Sequence, residues 1–108
     1  MRLLPIETVA WKVIDAPGLD SIDVYWRECG RGCGAVTICC FGSAWTAYWG
    51  GMGDRTIKQF FLAADTSYLV NKLGITSELK ARKCDLVYLG RIVDAIKAAF
   101  SEAKEEPK

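Results

Sequence analysis

Histidine is absent from all 108 residues. That absence removes Ser-His and Cys-His nucleophilic pairs, imidazole metal ligands and a histidine base working near neutral pH. A long apolar run is missing too. The strongest, residues 35–49, is interrupted by Gly42 and carries Thr37, Ser43 and Thr46, short of the roughly 20 apolar residues of a membrane helix. No membrane span is expected. Residues 1–7 hold one basic side chain, Arg2, with neither a sustained apolar stretch nor a small-residue cleavage site. They do not read as a signal peptide, and a cytoplasmic protein is expected.

An excess of one charge is also lacking. Fourteen basic and thirteen acidic residues leave a net charge of +1, which removes the general attraction that drives non-specific nucleic-acid binding and leaves room only for a local basic patch. Neither G-x-x-x-x-G-K-[ST] nor a strand-to-helix G-x-G-x-x-G occurs, so no cofactor is expected. The stretch Gly50-Gly51-Met52-Gly53 offers backbone N–H groups that an anion could use, but a plain strand-to-helix reversal accounts for it better.

Five cysteines, Cys29, Cys33, Cys39, Cys40 and Cys84, are an odd number in a chain read as cytoplasmic, and reduced thiols follow. Their spacing is unlike paired C-x-x-C knuckles, so no metal is expected. A Cys29–Cys33 bridge formed in air is expected to be incidental.

What is present is an ordinary globular composition, 51% hydrophobic and 25% charged, at a length that builds one core without staples. We read residues 1–103 as a single domain and residues 104–108 as a frayed charged tail. The first half alternates with the period of strands. Strands are predicted over residues 8–14, with Val9, Trp11 and Val13 on one face, and over residues 21–28, with Ile22, Val24 and Trp26 opposite Asp23, Tyr25 and Arg27. Two more follow over residues 35–41 and 44–49, the last with Trp45 and Trp49 opposite Thr46 and Tyr48. Turns are placed at Ala16-Pro17-Gly18, across Gly30, Gly32 and Gly34, and at Gly42-Ser43.

After Gly53 the period becomes helical. Ile57, Phe60, Phe61 and Ala64 mark a helix capped by Asp54. Tyr68, Leu69 and Leu73 mark a second one, capped by Asp65 and ended by Gly74, or a continuation of the first kinked near Asp65. Residues 76–83 are a polar connection with room for one helical turn. Asp85 is placed to cap a last helix with the stripe Leu86, Leu89, Ile92, Val93, Ile96 and Phe100. The fold expected is α+β: a four-stranded antiparallel meander with the C-terminal helices packed on one face. Val9, Val13, Ile22, Val24, Val36 and Ile38 are expected to share a core with Phe60, Phe61, Leu89, Ile92 and Ile96.

The four tryptophans fall on the predicted core face, whereas Tyr25 and Tyr48 fall on the other, beside Lys12, Arg27, Thr37 and Thr46. Aromatic residues set among polar ones on an uncovered sheet face are typical of protein interfaces. The candidate binding residues are Tyr25, Tyr48, Lys12, Arg27 and Arg55, and no catalytic residue is identified, because no set of acid, base and nucleophile converges. No enzymatic activity is expected.

The stretch from Ala44 to Gly53, reading AWTAYWGGMG, followed by Arg55-Thr56-Ile57, Phe60-Phe61, Asp65 and Tyr68-Leu69, resembles a small family of proteins encoded in phage and prophage genomes. The resemblance covers residues 21–75 and implies a context, phage-encoded action in the host-cell cytoplasm, and not a mechanism. Small phage accessory proteins often work by stoichiometric binding to a host protein or protein complex, and an inhibitor of the anti-CRISPR type suits this size and composition. The alternative is a factor that binds single-stranded nucleic acid or serves replication or recombination. Clustering of Lys12, Arg27, Arg31 and Arg55 would favour the alternative, and interspersed acids would favour a protein partner.

Overall fold

Period-2 alternation in the first fifty residues produces one sheet. The structure is a computed structural model that describes residues 1–75 and 83–102. Its strands are β1 (Val9–Val13), β2 (Ile22–Gly30), β3 (Cys33–Cys40) and β4 (Ser43–Trp49), antiparallel and paired in the order β1-β2-β3-β4. Helices α1 (Ile57–Ala63), α2 (Thr66–Ile75) and α3 (Lys83–Glu102) follow and pack on one face of this meander.

The register fixes which residues share that face. Val24 lies between Trp11 and Ile38, Ile38 faces Trp45, and Trp26 and Val36 pair between Val9 and Ala47. Ile22, Val24, Val36 and Ile38 are fully buried together with Ile57, Phe61, Leu69, Leu73, Ile92 and Ile96. Each such side chain contributes roughly 1.5–3 kcal/mol on burial, so the sheet–helix contact dominates stability. Trp26 is central to it. The Phe61 and Phe100 rings meet its indole edge-on, at 5.3 Å and 5.5 Å between centroids, the arrangement that aromatic quadrupoles favour.

β1 departs from the expected core. Val13 is buried, but Val9 is 53% and Trp11 41% exposed. β1 is an edge strand, and α3 reaches it from the helix layer, with Phe100 meeting Trp11 edge-on at 5.9 Å. Facing the helices is therefore not the same as being covered by them. Trp45 is likewise half-buried, beside Tyr88, whereas Trp49 is buried and donates from Nε1 to the Tyr68 hydroxyl at 2.8 Å.

The helix starts also differ from expectation. Thr56, not Asp54, caps α1: Thr56 Oγ1 accepts from the Gln59 N–H and the Gln59 side chain accepts from the Thr56 N–H, a reciprocal capping box. Asp54 is engaged instead with Arg31, 2.5 Å away. α1 and α2 are separate helices, with Asp65 directly before α2, and α2 runs one residue past Gly74. α3 begins at Lys83, before Asp85. Residues 76–82 of the predicted connection and the predicted tail 104–108 lie outside the described residues.

Two close approaches explain glycines at the end of the sheet where β2 and β3 join. A Cβ on Gly34, which belongs to β3 rather than to the turn, would come within 2.7 Å of the Ile57 side chain. Gly32, at φ +72°, leaves room for the Gly53 carbonyl 2.6 Å from where a Cβ would stand. The turn Arg31-Gly32 and the connection 50–54 are thereby held together, and the Met52 N–H donates to the Gly32 carbonyl at 2.9 Å.

Candidate binding face

The face of the sheet away from the helices is built by the alternate residues of the same strands. In one row Lys12 faces Asp23, which faces Cys39. In the next, Ala10, Tyr25, Thr37 and Thr46 line up. In the third, Arg27, Ala35 and Tyr48 do. Tyr25 occupies the middle, half-buried. It borders two shallow depressions: one of about 290 Å³ with Ala10, Trp11, Lys12 and Asp23, and one of about 250 Å³ with Thr8, Arg27, Ala35, Thr37 and Thr46. The Thr37 and Thr46 hydroxyls lie 3.2 Å apart, and Thr46 also donates to the Val36 carbonyl at 3.1 Å. These bonds fix a hydroxylated floor to the second depression.

Charge on this face is largely compensated. Lys12 Nζ lies 2.6 Å from Asp23 Oδ1. This hydrogen bond and the carboxylate charge raise the lysine above its ordinary pKa. Arg31, at the edge of the face, is paired with Asp54. Among the described residues Arg27 makes no ion pair and is exposed, so it is the cation on this face available to a ligand. Tyr48 is 53% exposed. A hydrogen bond to Cys33, and the charge carried by that thiol and by Cys29 when ionised, raise its hydroxyl above the ordinary tyrosine range.

Of the five residues singled out from sequence, the structure brings Lys12, Tyr25, Arg27 and Tyr48 onto one face. Arg55 lies elsewhere. Its guanidinium sits 4.8 Å over the Phe60 ring and its Nε donates to the Met52 carbonyl at 3.5 Å, because the chain has already left the sheet and turned towards the helix layer. Of the four cations whose clustering would favour nucleic acid, Arg55 is off this face, and Lys12 and Arg31 are neutralised by acids.

Sequence reasoning missed Phe41. Predicted as the last residue of a strand, it instead forms the β3–β4 turn with Gly42, both at positive φ (48° and 77°), as a two-residue hairpin turn requires. Its ring is 80% exposed. The signal was the Phe-Gly step itself, since a two-residue turn between strands needs two left-handed residues.

Among the described residues no group of three or more Cys, Asp or Glu is placed to hold a metal, and Cys29, Cys33, Cys39 and Cys40 are free thiols. No described helix is long and apolar enough to cross a membrane. Neither a curated protein nor a solved structure matches the chain. A model of the phage family Phage_phiTE_072 matches residues 6–106, beyond both ends of the stretch that carried the resemblance, and the chain belongs to that family.

Proposed function

We propose that this phage-family protein acts without catalysis, by stoichiometric binding to a host protein complex through the outer face of its sheet, as a defence inhibitor of the anti-CRISPR type does. The observation that carries the reading is Tyr25, a half-buried aromatic between two depressions whose rims mix cation, acid and hydroxyl. Interface hot spots favour such an aromatic anchor with arginine beside it, here Arg27. Compensation of Lys12 by Asp23 and of Arg31 by Asp54 supports a protein over a polyanion, whose affinity depends on uncompensated cations.

Single-stranded nucleic acid is the competing ligand, because Tyr25 and Tyr48 on a sheet face resemble a base-stacking platform. Affinity capture from host lysate with wild-type protein and with Tyr25→Ala, followed by titration of an oligothymidylate at two salt concentrations, tests the reading. The expected result is a host complex retained by wild type and lost by the variant, with no oligonucleotide binding. Salt-sensitive oligonucleotide binding that depends on Lys12 and Arg27 would replace it with the nucleic-acid reading.

A further inference from the structure

Cys29 and Cys33 flank the turn that joins β2 to β3. Pairing is regular as far as Glu28 opposite Gly34, then shifts so that Gly30 faces Cys33. Cys29 is the extra residue of this bulge and lies against the Cys33–Gly34 step. Gly30, which directly follows Cys29, faces Cys33, at the roughly 4.5–5.5 Å between Cα atoms usual for facing residues, so Cys29 is one residue from a facing position in a pair whose disulfide would span about 4.4–6.8 Å. Both thiols are free, Cys29 exposed and Cys33 half-buried. Each reaches a distant backbone acceptor: the Arg27 carbonyl at 3.9 Å for Cys29 and the Gly50 carbonyl at 3.7 Å for Cys33. Tyr48 completes the cluster: it pairs with Ala35, two residues from Cys33 on the same face, its hydroxyl lies 3.3 Å from where a Cβ on Gly50 would stand, and it is within electrostatic reach of Cys33 and Cys29. The bulge has space to adjust, since a Cβ on Gly30 would meet nothing within 4 Å.

We propose that Cys29 and Cys33 form a redox-sensitive dithiol that a peroxide oxidises to a hairpin disulfide, withdrawing Cys33 from Tyr48. The more exposed Cys29 attacks the O–O bond as thiolate, giving a sulfenic acid and, after protonation of the leaving hydroxide, one water. Cys33 then attacks the sulfenic sulfur. The S–O bond breaks, the S–S bond forms, and the hydroxyl leaves with the Cys33 proton as a second water. Each sulfur gives up one electron and hydrogen peroxide is reduced to two waters. Cys39 and Cys40 are no competing pair. As neighbours on β3 they point to opposite faces, and Cys40 is only 2% exposed. Any effect of this switch on partner binding rests on the outer-face reading above; the thiol chemistry does not.

The test treats the purified full chain with hydrogen peroxide, then titrates thiols after unfolding without reductant. The count should fall from the five cysteines to three, with a bridge mapped between Cys29 and Cys33, and Cys29→Ser should form no such bridge. The Tyr48 alkaline absorbance transition, isolated by subtracting Tyr48→Phe, should move to lower pH on oxidation. Five persisting thiols, a bridge elsewhere or between chains, or loss of two thiols from Cys29→Ser would overturn the proposal. A mapped bridge with an unmoved Tyr48 transition would overturn the coupling to Tyr48.

Discussion

The Glu28 carboxylate, near the end of β2, accepts a hydrogen bond from the Ile57 backbone N–H at 2.8 Å. Ile57 is the first residue of α1, so its N–H has no partner within the helix. An acid of the sheet thus supplies an acceptor that the helix lacks, and the negative charge suits the positive end of the helix. Residue 28 falls on the helix side of β2, where a charge is unexpected, and this bond accounts for it.

Replacing Glu28 with Ala should lower stability by about 1 kcal/mol, below the roughly 1.5–3 kcal/mol of a hydrogen bond to a charged group because the side chain is exposed. Urea melts of the two proteins measure the difference. Glu28→Gln, which keeps an acceptor, should recover part of the loss.

Phe41 should respond in the opposite sense. A bulky residue at φ 48° is strained, and its 80% exposed ring gains nothing from packing. Phe41→Asn, which tolerates the left-handed region, should raise stability by roughly 1 kcal/mol. Thermal melts showing equal or lower stability would contradict the strain argument.

Tyr88 sets an alkaline limit. Its hydrogen bond with Cys40, 3.3 Å away, partial burial, and the nearby charges of Cys40 and Asp20 push its hydroxyl up to about 12 from an ordinary 10.0. The folded chain therefore holds a proton that the unfolded chain has lost between these values. The stabilisation is complete below about pH 10 and lost as pH rises through about 12. Lys12 and Tyr48 are raised as well, so the informative quantity is the difference between wild type and Tyr88→Phe. Denaturant melts should show the wild-type stability falling more steeply over that window.

Alternation in β2, β3 and β4 made the two faces of the sheet legible, since a period of two assigns every side chain once the strand is recognised. Coverage was not legible: Val9 lies on the helix side yet stays exposed, because the extent of the helix layer depends on where α3 crosses the sheet. Thr56 lost the cap assignment to Asp54 because Asp54's engagement with Arg31 is a contact across 23 residues, invisible to local pattern. Arg55 was grouped with the face by charge alone, and a sharp turn separated it. Tyr25 was placed correctly for a local reason, its alternation with Val24 and Trp26, but the depressions beside it depend on the register of three strands.

The central claim, that the outer face around Tyr25 is the binding surface, is tested most directly by the affinity of Tyr25→Ala for the captured host complex, measured alongside its melting temperature. Loss of a hot-spot aromatic should weaken binding by about 1–3 kcal/mol, roughly five- to 150-fold, with little loss of stability. Phe61→Ala, which empties a fully buried site, should instead cost roughly 3–5 kcal/mol of folding stability. Wild-type affinity in Tyr25→Ala, or a destabilisation as large as that of Phe61→Ala, would contradict the account.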